Sequence, residues 1–148
     1  MVLSEEIKNK IKEEYNEWFN SQYGDKTLEE RRELGAFFTP PELTIKMIEK
    51  FNTLSGKTIL DPTCGTGNLL AGCIIAGADP TLIYGNEFDP TFMQLCRDRL
   101  EKLGVPKYNI HQGDALISEC LKLSSFTSQY NYEKIKQLHE KGNMISLW

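Results

Sequence analysis

Long apolar runs are missing from this sequence, and none approaches the roughly 20 consecutive residues that cross a bilayer. Met1 to Glu6 also lack the basic and apolar regions of a signal peptide. Both absences point to the cytoplasm. A basic excess is missing too, since 17 Lys and Arg face 21 Asp and Glu for a net charge of −4. Affinity for a phosphate backbone comes mainly from Lys and Arg, so this balance argues against the chain gripping a nucleic acid unaided. Arg31-Arg32 and the stretch from Arg97 to Lys107 come nearest to basic clusters, and both read as solvated helix faces. The four cysteines form no Cys-x-x-Cys pair and have no histidine at ligand spacing, which argues against zinc. In the cytoplasm they are reduced, with Cys73 and Cys96 facing a core and Cys64 a candidate reactive thiol. His111 and His139 stand alone, and neither reads as catalytic.

What is present centres on Lys57 to Leu70. Thr58, Ile59 and Leu60 read as a short buried strand, Asp61 to Gly67 as a tight loop, and Asn68 onward as a helix. Gly65 and Gly67 allow positive φ and let a ligand approach the backbone where the free N–H groups of the helix start face it. A Gly-x-Gly alone is weak, because many strand-to-helix turns carry one. A second strand, Leu82 to Asp89, brings Glu87 to its tip, where a carboxylate accepts hydrogen bonds from ribose hydroxyls. A third, Tyr108 to Gln112, is followed by Gly113-Asp114-Ala115, and places Asp114 where it reads a purine amino group. Three strand tips converge on one nucleoside.

The remaining elements follow from periodicity and caps. Ser4 to Tyr23 reads as an amphipathic helix with Ile7, Ile11, Tyr15, Trp18 and Phe19 on one stripe, docked on its own domain rather than on a partner. Thr27 and Glu30 have capping-box spacing, which predicts a second helix from Leu28 to Leu34. Thr39 and Glu42 repeat it, with Pro40 at the first helical position, so Thr39 reads as a helix cap. Leu43, Met47, Ile48 and Phe51 give that helix its buried face, and Gly56 ends it. Asn68 to Ala76 is an apolar helix packed on the sheet. Asp89-Pro90 starts another, striped by Phe92, Leu95, Cys96, Leu100 and Leu103. Strand, helix, strand, helix, strand makes a parallel sheet with right-handed crossovers, which binds ligands at the strands' C-terminal ends. Beyond it, Ile117 to Leu123 and Tyr132 to Lys141 read as helices, and Met144 to Trp148 as a strand that pairs beside the first one.

Asp61-Pro62-Thr63-Cys64-Gly65-Thr66-Gly67-Asn68-Leu69-Leu70 resembles the S-adenosylmethionine loop of the adenine-N6 DNA methyltransferases. Gly35-Ala36-Phe37-Phe38-Thr39-Pro40-Pro41-Glu42-Leu43 is similar to that family's Gly-x-Phe-Tyr-Thr-Pro-x-x-Leu stretch. The match covers about residues 33 to 117. It implies an α/β, Rossmann-like S-adenosylmethionine methyltransferase fold with a truncated parallel sheet. Residues 1–34 would be an N-terminal helical segment, and 35–148 the cofactor-binding domain. The resemblance implies that Thr39 helps hold the methionine end of S-adenosylmethionine, with Phe38 and Pro40 beside it. Asp61 and Gly65 would line the amino acid and sulfonium region with Thr63, Gly67 and Asn68. Glu87 would take the ribose and Asp114 the adenine, flanked by Phe88 and Ala115. The family often carries Cys at position 64 without a redox duty.

The family's catalytic Asn- or Asp-Pro-Pro-aromatic loop is missing, for the one Pro-Pro pair, Pro40-Pro41, belongs to the upstream motif. No catalytic residue is assigned. The sequence reads as the donor half of an enzyme, with the target adenine and catalytic loop supplied by a partner chain or an absent segment. DNA would be met through that partner, in a homo- or hetero-oligomer. A sensor or sink that holds S-adenosylmethionine without transferring its methyl group is the alternative, and cleavage of the cofactor is a third reading with no dedicated residues. A dehydrogenase is weaker, since its loop would carry a third glycine where Leu70 stands.

Overall fold

Four residues, Thr58–Asp61, form β1, and all four are buried. Burial without alternation is what a parallel strand covered on both faces shows. In the computed structural model, which describes residues 1–35, 37–115 and 144–146, this strand lies inside a sheet and not at its edge. The other strands are β2 (Ile83–Glu87), β3 (Ile110–Gln112) and β4 (Met144–Ser146), in the order β3-β2-β1-β4. All pairings are parallel, with Ile59 opposite Ile83 and Ile145, and Asn86 opposite His111. The α/β fold is the expected truncated, Rossmann-like one, and the pairing of the last strand beside the first is found over residues 144–146. The helices expected at 117–123 and 132–141 lie outside the described residues.

The helices are α1 (Glu5–Tyr23), α2 (Leu28–Gly35), α3 (Pro41–Ile48), α4 (Asn68–Ile75) and α5 (Pro90–Glu101). Ser4 caps α1 by accepting from the Ile7 N–H at 3.2 Å. At α2 the capping box is complete: Thr27 Oγ1 accepts from the Glu30 N–H, and Glu30 Oε2 from the Thr27 N–H. Asp89 caps α5 by accepting from the Phe92 N–H at 2.9 Å. The third cap differs from expectation. Pro40 is the N-cap residue of α3 with no side-chain cap bond, and Pro41 takes the first turn. Of two adjacent prolines, the second enters the helix because the residue before a proline is pushed to extended ψ, and Pro40 has ψ 151°. Two strands are shorter than expected. Leu82 belongs to a 3₁₀ turn, Pro80–Leu82, capped by Asp79, and Tyr108 to another, Lys107–Asn109.

Among the described residues, burial is arranged in two clusters. In the larger, Ile11 of α1, Ile48 of α3 and Leu70 of α4 meet Ile59, Ile83 and Leu100. Gly72 lets α4 approach α3, since a Cβ there would lie 2.5 Å from Thr44 Cγ2. The smaller is aromatic: Phe38 packs against Trp18, Phe19, Tyr23 and Phe92 with ring centroids 5.8 to 6.1 Å apart. The stripe of α1 is thus docked on its own chain, as expected, and its far end pins the Phe37-Phe38-Thr39 segment beside the sheet.

Candidate functional site

Between β1 and α4 the backbone reverses in six residues. Gly65 has φ 55° and Gly67 has φ 87°, left-handed values that side chains rarely tolerate. Asp61 Oδ1 accepts from the Thr63 N–H at 3.1 Å, an Asx turn that starts the loop. The Cys64 N–H then donates to the Asn86 carbonyl at 2.8 Å, which extends β1's pairing with β2 into the loop.

Two residues at the end of β2 tie the loops together. Asn86 is buried, and its Nδ2 donates to the Pro62 carbonyl at 3.0 Å and to the Gly113 carbonyl at 2.9 Å. The loops after β1 and β3 are therefore joined through one amide. Glu87 Oε1 accepts from the Gly65 N–H at 3.1 Å, and Oε2 accepts from the Asp89 N–H at 2.7 Å. Asn86 was not singled out from the sequence. Its position inside a strand gives no local sign that its partners lie 24 and 27 residues away.

Two cavities open along this edge and meet at Thr63. One, of about 250 Å³, is lined by Phe37, Phe38, Thr39, Asp61, Gly65 and Asn68 among others. The second, of about 300 Å³, is lined by Pro62, Asn86, Glu87, Phe88, Gly113, Asp114 and Ala115, again with Thr63. The residues named from the sequence thus divide into two groups, those of the upstream stretch and glycine loop, and those of the second and third strand tips. Pro40 and Gly67 line neither cavity. Phe38 is mostly committed to the aromatic cluster, while Phe88 stands 69% exposed at the rim of the second cavity.

Beneath the loop lies a cation that the sequence reading had placed in solvent. Arg99 is 4% exposed. Its Nε and Nη2 donate to the two carboxylate oxygens of Glu14 on α1 at 2.7 and 2.6 Å. Its Nη1 donates to the Thr66 carbonyl at 3.2 Å and to Asn68 Oδ1. Asn68 Nδ2 in turn donates to the Thr39 carbonyl at 3.2 Å. The reading of 97–107 as a solvated face fails here because the partner that draws Arg99 inward lies 85 residues away in sequence. It holds at Lys102 and Lys107, which are exposed.

Asp61 is 6% exposed, and burial pushes its carboxyl up from 3.8 to about 6. The Thr63 N–H opposes that rise, and the charge of Glu87 adds to it. Below about pH 4 the group is protonated folded or unfolded, whereas above about pH 6 a buried charge opposes folding in full. Its contribution to stability therefore falls as pH rises between those values. Asp61→Asn should remove this slope, so the stability difference between variant and wild type should grow in the variant's favour by about 2–3 kcal/mol from pH 4 to pH 7. Urea midpoints at the two pH values measure it, and parallel profiles would show that Asp61 is not the group responsible.

The Cys64 thiol is no exposed nucleophile. Its Sγ lies 3.7 Å from Cys96 Sγ. The contact with Cys96, burial, and the nearby Asp61 and Glu87 charges all push its pKa well above the ordinary range. It stays a protonated thiol that packs the loop against α5.

Residues 10–134 match the family model described as N-6 DNA Methylase. The type II methyltransferase M.VspI of Vibrio sp. (strain 343) is 37% identical over 84 residues, which are 55% of this chain and 21% of that protein. The type II methyltransferase M.CvrRI of Paramecium bursaria Chlorella virus XZ-6E is 36% identical over 69 residues, 47% of this chain and 18% of that protein. A ribosomal protein L11 methyltransferase of Vibrio campbellii is 38% identical over 63 residues, 43% of this chain and 20% of that protein. The chain spans about a fifth of the length of the curated relatives it matches. No solved structure matches it significantly.

Proposed function

The chain belongs to the N-6 DNA methylase family, and from that premise we propose that it is the S-adenosylmethionine-binding part of an adenine-N6 DNA methyltransferase. The observation that carries this reading is the pair of cavities meeting at Thr63, one lined by Asp61 and the other by Glu87 and Asp114. When bound, the cofactor supplies a methyl group activated on a sulfonium.

The donor set fits a ligand that is cationic at one end and a nucleoside at the other. Asp61 is a buried carboxylate whose charge lacks enough compensation, so a neighbouring cation would lower its cost. The Thr66 hydroxyl is buried with no hydrogen-bond partner among the described residues, and Thr66 lines the same cavity. In our reading Asp61, Thr39 and Phe38 hold the methionine end with Asn68 and Pro40 behind them. Gly65 admits the ligand close to the backbone, and Gly67 lets the loop pack closely on α5. Glu87 takes the ribose hydroxyls, and Asp114, between Phe88 and Ala115, takes the adenine.

Methyl transfer needs a target adenine turned out of its duplex and a group to grip it. We assign both to a partner chain or to a segment outside this sequence, in line with a net charge of −4. Among the described residues no helix is long and apolar enough to cross a membrane. Mixing the chain with labelled cofactor, DNA and a chain carrying Asn- or Asp-Pro-Pro-aromatic tests the transfer. Labelled N6-methyladenine is the expected product, and saturable cofactor binding with no methylated product in any mixture would favour a sensor instead.

Glu87→Ala should weaken S-adenosylmethionine binding by about 1.5–3 kcal/mol, the worth of hydrogen bonds to a charged group. Unchanged affinity by calorimetry would sink the ribose assignment. The variant also frees the Gly65 N–H, so Glu87→Gln, which retains an acceptor for it, is the matched control.

A further inference from the structure

The Asp61–Thr63 turn, Asn86 and Glu87 brace the glycine loop from its strand side, but its helix end carries no side-chain cap. Gly67 is the N-cap residue of α4 and supplies no side-chain cap. The Thr66 carbonyl and the Asn68 side chain point instead to the guanidinium of Arg99. A hydrophobic residue could fill the same space but could not donate to both. Nor is Arg99 free to turn: Glu14 accepts from two of its nitrogens, and Trp18 lies under it with the guanidinium carbon 4.3 Å from the ring centroid. A planar fork held on one edge by a carboxylate presents its remaining N–H groups in a fixed direction.

From these contacts we infer that Arg99, oriented by Glu14 and Trp18 of α1, is a positioning residue for the cofactor loop. It fixes the Thr66 carbonyl, and through Asn68 it also fixes the Thr39 carbonyl of the upstream segment. Both walls of the first cavity then take their spacing from one guanidinium. The N-terminal helix belongs to the binding site although no residue of it lines either cavity. The effect on affinity rests on the cofactor reading above, whereas the effect on loop order does not.

The test uses the full chain with Arg99→Lys, which keeps the charge and the pairing with Glu14 but lacks the fork, and Asn68→Ala, which cuts the link at the loop. Amide hydrogen exchange is followed without ligand, and S-adenosylmethionine is titrated by calorimetry. In both variants the amides of residues 65–69 should exchange about tenfold faster while those of Ile59, Leu60, Ile83 and Tyr84 keep their wild-type rates. Affinity should fall about tenfold in each, and the double variant should lose no more than the worse single one. Loop amides that keep their rates, or strand and loop amides that accelerate together, would overturn the proposal in favour of plain structural support. A wild-type chain that binds no S-adenosylmethionine would overturn the cofactor reading alone, and the exchange rates would still decide the positioning role.

Discussion

Glu14→Leu is expected to lower stability by about 3–5 kcal/mol, because it leaves a buried guanidinium without its counter-charge. Arg99 is 3% exposed over its side chain and Glu14 20%, so water replaces the lost carboxylate only poorly. The remaining partners, a carbonyl, an amide oxygen and an indole face, are neutral. Urea unfolding followed by circular dichroism measures the loss. A matched double variant, Glu14→Leu with Arg99→Met, should recover more than half of it, since an apolar pair of similar volume often replaces a buried ion pair at little cost. It should not recover loop order, because Thr66 and Asn68 then have no donor. A single variant within about 0.5 kcal/mol of wild type would mean that the pair is solvated.

Gly67→Ala should cost about 2–5 kcal/mol and abolish cofactor binding. A non-glycine residue in the left-handed region costs about 1–2 kcal/mol by itself. Here a Cβ would also stand 2.9 Å from Cys96 Sγ and 3.4 Å from Leu100 Cδ1, so the Cys96 side chain or α5 must shift, and overpacking adds about 1–3 kcal/mol. Gly65→Ala separates the two causes. Gly65 is also left-handed, at φ 55°, but nothing among the described residues lies within 4 Å of its would-be Cβ, so only about 1–2 kcal/mol should be lost. Equal losses at the two glycines would contradict the close contact between loop and α5.

These two predictions fall on opposite sides of what the sequence makes legible. The glycines are read locally: two of them between a strand that ends in Asp61 and a helix that begins at Asn68 leave few backbone paths. The same holds for Glu87 at the tip of β2, the Thr27–Glu30 box and Asp89 at the start of α5, since each rests on neighbours a few residues away. Arg99 and Asn86 have no such local sign. Along α5, Arg99 sits among Gln94, Arg97, Asp98 and Glu101, and only the packing of α1 turns its position inward. Thr39 shows a smaller failure of the same kind: its spacing to Glu42 suits a cap, but Pro41 rather than Pro40 enters the helix. Cys64 looked accessible in a loop, yet its partner Cys96 stands 32 positions on, across an interface that spacing alone does not reveal.

The site therefore has a legible edge and an illegible foundation. Strand tips and glycines line the two cavities, while an ion pair between α1 and α5 and one buried amide in β2 hold the loops that carry them. On the proposal made for Arg99 the N-terminal helix also serves the candidate site, although by sequence alone it reads as a separate segment.

The most direct measurement is calorimetric titration of the chain with S-adenosylmethionine, S-adenosylhomocysteine and NAD. Saturable binding of the first two with no response to NAD is the expected result, because Asp61, Glu87 and Asp114 suit one nucleoside joined to a cationic amino acid and Leu70 stands where a dinucleotide loop needs glycine. Failure of both sulfur compounds to bind, or binding of NAD with equal strength, would contradict the assignment of this site to S-adenosylmethionine.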